Sequence, residues 1–497
     1  MPTSRRDFLR FSTSALIAAA AGSGYASAVA AQQGAETLPA ARDPALHFLN
    51  RITYGPRPEE VERIRQIGIE AYLDEQLHPE SIDDSAMDER LRQFPILFMD
   101  RRAIHILGTD GRVWFALIRG MIERAAYSKR QLFERMVEFW TDHFNVSGDD
   151  YVPDMALMHR EVIRRHALGK FRDLVIGTAQ HPAMLYYLDQ AYSDKEHPNE
   201  NYARELLELH TLGVDGGYSE ADVKEAARAL TGWTVHDGTE TGFFFDAEMH
   251  DFDDKFILGH EMPEGRGIED GLHLISIAAN HPSTAHFVCR KLCVRFVSDD
   301  PPENLVESAA QVFRETGGEI APVLRHILLS AEFQASAGQK LRRPLEFFIG
   351  AIRATGTTVR DDWFYLSLLE DLAQVPYQWS PPNGYPDAAG AWLGSSSLLA
   401  RWNTAMTLTH AAYSEQDSGM TTQLRQRLGS PESIGQMVDA AAAQVFGAPL
   451  PQAERAQFVA YASDGGGEQA AASPRVIADK LGTLTGLMLA SPLFQWR

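Results

Sequence analysis

The sequence predicts a mainly α protein: a large multi-helical single-domain array with a short β-hairpin and long ordered loops. Three observations carry this. Apolar residues recur at three- and four-residue spacing along most of the chain. Strict two-residue alternation is scarce. Helix-start signals are frequent. Ser219-Glu220-Ala221-Asp222 places a cap and an acid at a helix start, and Pro301-Pro302-Glu303 and Ser430-Pro431-Glu432 place proline in a first turn.

Taken in order, residues 4–10 (Ser-Arg-Arg-Asp-Phe-Leu-Arg) read as a twin-arginine motif. The Ala-, Ser- and Gly-rich stretch to residue 31 is only mildly apolar, and Ala26-Ser27-Ala28 and Ala28-Val29-Ala30 offer small-residue cleavage sites. The expected organisation is a signal peptide over 1–31, a linker over 32–43, a main helical domain over 44–412 and a C-terminal helical extension over 413–497 packed on it. A periplasmic or secreted location follows. The twin-arginine route carries folded proteins, often with a cofactor inserted, so the likeness of the signal brings a divalent metal into view. No later segment reaches the roughly 20 apolar residues a membrane span needs, so the mature chain is expected to carry no transmembrane anchor.

Helices are predicted at 44–49, 57–77, 110–127, 128–144, 155–166, 169–180, 182–188, 201–212 and 219–230. More follow at 271–280, 284–296, 303–315, 320–329, 344–355, 395–412, 431–446, 452–461 and 475–490. Residues 242–245 and 255–258 are the strand candidates, arranged around one hairpin. Residues 214–222 resemble a calcium loop only superficially and read as a glycine turn before a capped helix. Three prolines and a glycine forbid a helix over 379–386, and Gly465-Gly466-Gly467 marks a loop over 464–473.

Among 497 residues, 67 Asp and Glu against 46 Lys and Arg leave a formal charge of −21. Such an acidic protein is not expected to bind nucleic acid, which demands a cationic surface. The two cysteines, Cys289 and Cys293, lie one helical turn apart in an apolar run and read as reduced packing residues. There is no G-x-S-x-G, no P-loop, no G-x-G-x-x-G after a strand and no C-x-x-C-H.

Several segments together resemble one family of exported bacterial proteins, domain of unknown function 1800. They are Arg51-Ile-Thr-Tyr-Gly-Pro-Arg57, Phe139-Trp-Thr-Asp-His-Phe144, Arg160-Glu-Val-Ile-Arg164 through Phe171-Arg-Asp173, and the long run from Pro198-Asn-Glu-Asn-Tyr202 to Leu212-Gly213. Tyr218-Ser-Glu-Ala-Asp-Val223, Ala229-Leu-Thr-Gly-Trp233, His250-Asp251, Leu258-Gly259 and Pro381-Pro-Asn-Gly-Tyr-Pro386 complete the likeness, which runs from about residue 44 to the C-terminus. The resemblance implies a largely helical exported protein. It also implies a partner, since such proteins are often encoded beside a second exported family, domain of unknown function 1501, that looks sulfatase-like. It brings no catalytic residues, so the candidates rest on chemistry.

On the 201–212 helix, Glu205 and Glu208 stand one turn apart beside Arg204, a paired-carboxylate arrangement for acid–base work or a solvated face with an Arg204–Glu208 pair. Asn199, Asn201 and Tyr202 precede them as candidate substrate contacts. His143 and His210 lie on apolar helix faces and are the candidate metal ligands, although the diagnostic Glu-x-x-His spacing is absent. His250 beside Asp251 fits a base with an orienting carboxylate, or a packed loop. Trp379, Tyr385 and Trp392 fit stacking on a sugar, or wedging between helices. Two functions are therefore expected as alternatives. One is a metal-dependent enzyme acting on an extracytoplasmic polymer or glycan. The other is a non-catalytic binding or assembly protein working with a partner of the 1501 family.

Overall fold

Asp43 caps the first helix: its Oδ1 accepts from the amides of Ala45 and Leu46 at 2.9 and 3.2 Å, and Pro44 fills the first position. The computed structural model describes residues 43–107, 111–148, 152–236, 241–357, 363–409 and 426–497. The expected signal peptide, nearly all of the linker, the end of the 395–412 helix and residues 413–425 of the extension lie outside the described residues.

Helix α1 (Pro44–Ile52) is followed by α2 (Pro58–Ile67) and α3 (Ile69–Leu77). The single helix expected over 57–77 is two helices, because Gly68 adopts φ +85° between them. Two short unforeseen helices, α4 (Ser85–Leu91) and α5 (Arg101–Leu107), lead to α6 (Arg112–Tyr127) and α7 (Gln131–His143). Helix α8 (Val152–Met158) widens into a π turn, His159–Ile163. Next come α9 (Phe171–Ala179), α10 (Pro182–Tyr187) and α11 (Glu200–Glu205), which also widens into a π turn, Leu206–Thr211. Ser219 and Asp222 bond each other's amides reciprocally to open α12 (Glu220–Ala229).

The strand region forms two antiparallel hairpins rather than the one expected. β1 (Trp233–Val235) pairs with β2 (Phe243–Phe245), and β3 (Lys255–Ile257) pairs with β4 (His260–Met262). The reason is local. Leu258 and Gly259 both take positive φ, +50° and +83°, and this two-residue turn folds β3 onto its sequence neighbour.

The remaining helices are α13 (Glu269–Ala279), α14 (Pro282–Phe296), α15 (Glu303–Glu315), α16 (Ile320–Leu328), α17 (Ala331–Ala335), α18 (Pro344–Thr355) and α19 (Trp363–Asp371). After a long loop come α20 (Ser395–Thr409), α21 (Ile434–Phe446), α22 (Gln452–Ser463), α23 (Pro474–Ala490) and α24 (Pro492–Gln495). The mainly helical architecture is thus as the periodicity predicts.

Apolar faces bury in two cores. The first joins α1, α7, α9 and α11–α17 around Leu49, Trp140, Leu206, Val288 and Leu324. The second joins α6 and α18–α23 around Leu117, Phe348, Met437 and Leu484. Cys289 and Cys293 are unpaired in the first core, where burial pushes the Cys293 thiol up to about 12. Among the described residues no helix is long and apolar enough to cross a membrane.

Candidate functional site

The Asn199 side chain is committed to starting α11. Its Oδ1 accepts from the Asn201 and Tyr202 amides at 2.8 and 3.2 Å, and its Nδ2 donates to the Leu188 carbonyl at 2.8 Å. Tyr202 points into the first core and Asn201 is exposed. Arg204 forks onto Glu220 with two bonds of 2.7 Å. The Arg204–Glu208 pair that the spacing predicts is absent among the described residues. Arg204 is instead taken by Glu220, and the helix widens into the π turn from Leu206.

Glu205 and Glu208 are both half-buried. Burial, and then the Glu208 charge, push the Glu205 carboxyl above its ordinary range. That carboxyl makes no hydrogen bond or ion pair with a described residue. Glu208 accepts from the Tyr218 hydroxyl at 3.2 Å, and burial with the Glu208 charge pushes that phenol up to about 12. Burial thus biases the Glu205 carboxyl toward its acid form beside an acceptor that is bonded to Tyr218.

The inner side of the same π turn carries His210. The His143 Nε2–H donates to the His210 carbonyl at 3.0 Å, and the His143 Nδ1 accepts from Lys291 Nζ at 2.8 Å. The carbonyl acceptor fixes the tautomer. Burial, with the Lys291 charge, holds His143 well below its ordinary range and His210 down to about 3. Burial also brings Lys291 down to about 8. The rings of His143 and His210 are 6.3 Å apart, but both nitrogens of His143 are engaged. Among the described residues no group of three or more His, Cys, Asp or Glu is arranged to hold a metal ion.

Lys291 opens onto a cluster that the sequence reading missed. Arg343 Nη1 donates to Asp142 Oδ2 at 2.8 Å and Arg343 Nη2 donates to Glu138. Arg295 Nη2 donates to Asp142 Oδ2 at 3.3 Å, and Arg295 Nε lies 2.9 Å from Asp387 Oδ1. Glu346 accepts from Arg135 and, at 2.6 Å, from Arg497 Nη2. Burial raises the Asp142 carboxyl despite Arg343 and Arg295. Burial also works against Glu346, but Arg135 and Arg497 hold it well below the carboxylate range. The available signal was a set of charges inside apolar arcs: Arg295 shares the buried face of its helix with Leu292 and Phe296.

The aromatic loop closes over this cluster. Gly384 takes φ +69° and packs so tightly that a Cβ there would stand 2.0 Å from the Asp142 carbonyl. Asn145 Nδ2 donates to the carbonyls of Trp379 and Pro381 at 2.7 and 2.8 Å. The segments Phe139–Phe144 and 381–386, far apart in sequence, therefore meet. The rings of Trp379 and Tyr385 lie 4.8 Å apart at a 46° tilt, and those of Tyr385 and Trp392 6.2 Å apart. Their polar tips bond internally: Trp379 to Asn383, Tyr385 to the Val375 carbonyl and Trp392 to the Pro386 carbonyl. Trp392 is buried; Trp379 and Tyr385 keep an open edge.

His250 and Asp251 stand apart from all of this. His250 Nδ1–H donates to the Thr231 carbonyl at 2.7 Å, and its Nε2 lies 3.7 Å from Asp270 Oδ2. Lys255 Nζ bonds the same Asp270 oxygen at 2.9 Å. Asp251 pairs with Arg228 Nε at 2.7 Å; burial opposes its ionisation, but Arg228 holds the carboxyl below its ordinary range. These contacts brace the second hairpin against α12 and α13.

Fold and site together define a mainly helical protein with a carboxylate pair where α11 passes into a π turn and a buried arginine–carboxylate cluster. A family model described as protein of unknown function (DUF1800) matches residues 47–496, and the chain belongs to that family. Neither a curated protein nor a solved structure matches the chain.

Proposed function

We propose that this protein is an exported enzyme that acts on an extracytoplasmic polymer or glycan by carboxylate acid–base chemistry. Glu205 gives the proton to the leaving group, and Glu208 stands beside it as the second carboxyl of the pair. The observation that supports this is the Glu205 carboxyl: half-buried, without a bond of its own, and raised by burial and by Glu208. Such proton transfer contributes roughly 10²–10⁴-fold to a rate. Arg5-Arg6 supports export to the periplasm or beyond, and replacing both by Lys is expected to keep the precursor in the cytoplasm. The enzymatic test is release of reducing ends from a panel of envelope and extracellular polysaccharides. Glu205→Gln is expected to lower turnover at least 100-fold, with Glu208→Gln shifting the pH profile. Both variants turning over the substrate at the wild-type rate would falsify the assignment.

A second reading is assembly with an exported partner of the 1501 family. It is supported by Phe244, Phe252 and Phe256, which are 41%, 42% and 60% exposed along the hairpin region. Phe256→Ser is then expected to abolish co-purification with that partner; undiminished co-purification counts against this surface.

A further inference from the structure

The cluster beneath the aromatic loop holds more positive charge than its carboxylates neutralise. Arg51 bonds the carbonyls of Phe296, Val297 and Ser336, and Arg342 bonds the carbonyls of Phe494 and Tyr54 and the Asn50 side chain, so neither has an acid partner. Lys291 donates to His143, not to an acid. The Asp142 carboxyl is itself raised by burial.

Into this excess the loop delivers the side chain of Asp387. Its Oδ1 lies 2.9 Å from Arg295 Nε and 3.4 Å from Arg343 Nε. Neither approach has hydrogen-bond geometry. Arg295 Nε and Nη1, Arg343 Nε and Asp387 Oδ1 are all buried without a hydrogen bond to a described residue. The two arginine side chains are each 1% exposed, while those of Asp387 and Asp142 are 15% and 17% exposed. Asp387 and Asp142 are the more exposed members, and behind them the donors without a hydrogen bond face carboxylates only at ion-pair distance, Arg295 Nη1 at 3.6 Å from Glu138 and Arg343 Nε at 3.8 Å from Glu346.

We propose that the Arg295–Arg343 pocket is a binding site for a carboxylate ligand, and that Asp387 is its tethered, poorly aligned occupant. A guanidinium presents its N–H groups as a rigid fork, which a free carboxylate can meet in line and a tethered one here does not. Displacing Asp387 does not require the loop to come away. The loop is held through its backbone, by Asn145 on Trp379 and Pro381, by Lys340 Nζ on the Asp387 carbonyl at 2.9 Å, and by Asp299 on the Ala389 amide at 2.6 Å. The inference stands apart from Glu205 and Glu208, and from whether the protein is an enzyme.

The test titrates acetate, galacturonate and galactose into the wild-type chain and into Asp387→Asn by calorimetry, with melting temperature in parallel. Asp387→Asn is expected to bind at least one acid about tenfold more tightly than wild type, to regain melting temperature with that acid, and to ignore galactose. Adding Arg295→Gln is expected to remove the gain. Equal gains for both acids identify a simple carboxylate; a larger gain for galacturonate identifies an acidic sugar. No tightening for either acid overturns the site, as does an equal response to galactose. If Asp387→Asn does not fold, the wild-type chain decides: acetate must raise its melting temperature above chloride at equal ionic strength, and failure to do so overturns the site.

Discussion

Lys291 sits between the His143 imidazole and a pair of arginine–carboxylate contacts, and burial disfavours its ammonium. Burial lowers its pKa from 10.5 to about 8. In the window between those values the unfolded chain binds more protons at this lysine than the folded one, so its contribution to stability rises with pH. Below about 8 the penalty is full; above 10.5 it is gone. Lys291→Met removes the titration. The stability of wild type relative to this variant is expected to increase as pH is raised from 8 to 10.5, measured by urea unfolding of both chains. A pH-independent difference would show that Lys291 is no more buried than an ordinary surface lysine. Glu205, the last residue of α11, shows burial disfavouring a charge of the other sign. Its spacing from Glu208 was readable in the sequence; its lack of a partner was not, because Arg204 turns to Glu220, 16 residues away.

At the scale of an element, the 379–392 loop shows how chemistry can be misjudged from residue type. Two tryptophans and a tyrosine in a rigid loop fit sugar stacking, and the open edges of Trp379 and Tyr385 leave that role available. The polar tips, however, all bond within the loop or to its base. Its tightest point is Gly384. A methyl group there meets both the left-handed backbone and the Asp142 carbonyl at 2.0 Å. Gly384→Ala is expected to cost about 3 kcal/mol, the sum of the backbone penalty and overpacking. Chemical denaturation measures it, and a cost under about 1 kcal/mol would mean that the loop is not seated on α7. The two π turns belong to this scale as well. Helical periodicity locates a helix, but one inserted residue leaves the apolar pattern nearly intact, so the widening at 206–211 is not legible in it.

Across the whole molecule, the ionic network fastens one core to the other. Arg135 and Glu138 on α7 belong with the first core, Glu346 on α18 with the second, and Arg497 closes the chain between them. The last residue is tied by backbone as well: the Arg497 amide donates to the Lys340 carbonyl at 2.9 Å, and the Lys340 amide donates back at 3.1 Å. Removing one partner of a buried pair leaves the other charge exposed to low dielectric. Arg497→Ala is therefore expected to destabilise the protein by about 3 kcal/mol, read from the shift in urea midpoint at constant slope. An unchanged midpoint would show that Glu346 is fully served by Arg135 and Arg343.

What the sequence by itself determined was local. Helix periodicity, proline and serine starts, the breaking of 379–386 and the unpaired packing cysteines all follow from residues within a few positions of one another. Even there, Gly68 split a helix and Leu258-Gly259 chose the nearer strand partner, both through backbone dihedrals that side-chain periodicity does not report. Tertiary structure alone decided which charges meet. Asp142, Lys291, Arg295, Arg343 and Asp387 span 246 positions from first to last, counted from residue 142 to residue 387. The Coulomb attraction that joins them becomes strong only after burial removes water from between them. Desolvation is a property of the packed molecule, so a charge inside an apolar arc, such as Arg295, could be noticed in the sequence, but its partners, and the carboxylate pocket inferred among them, could not.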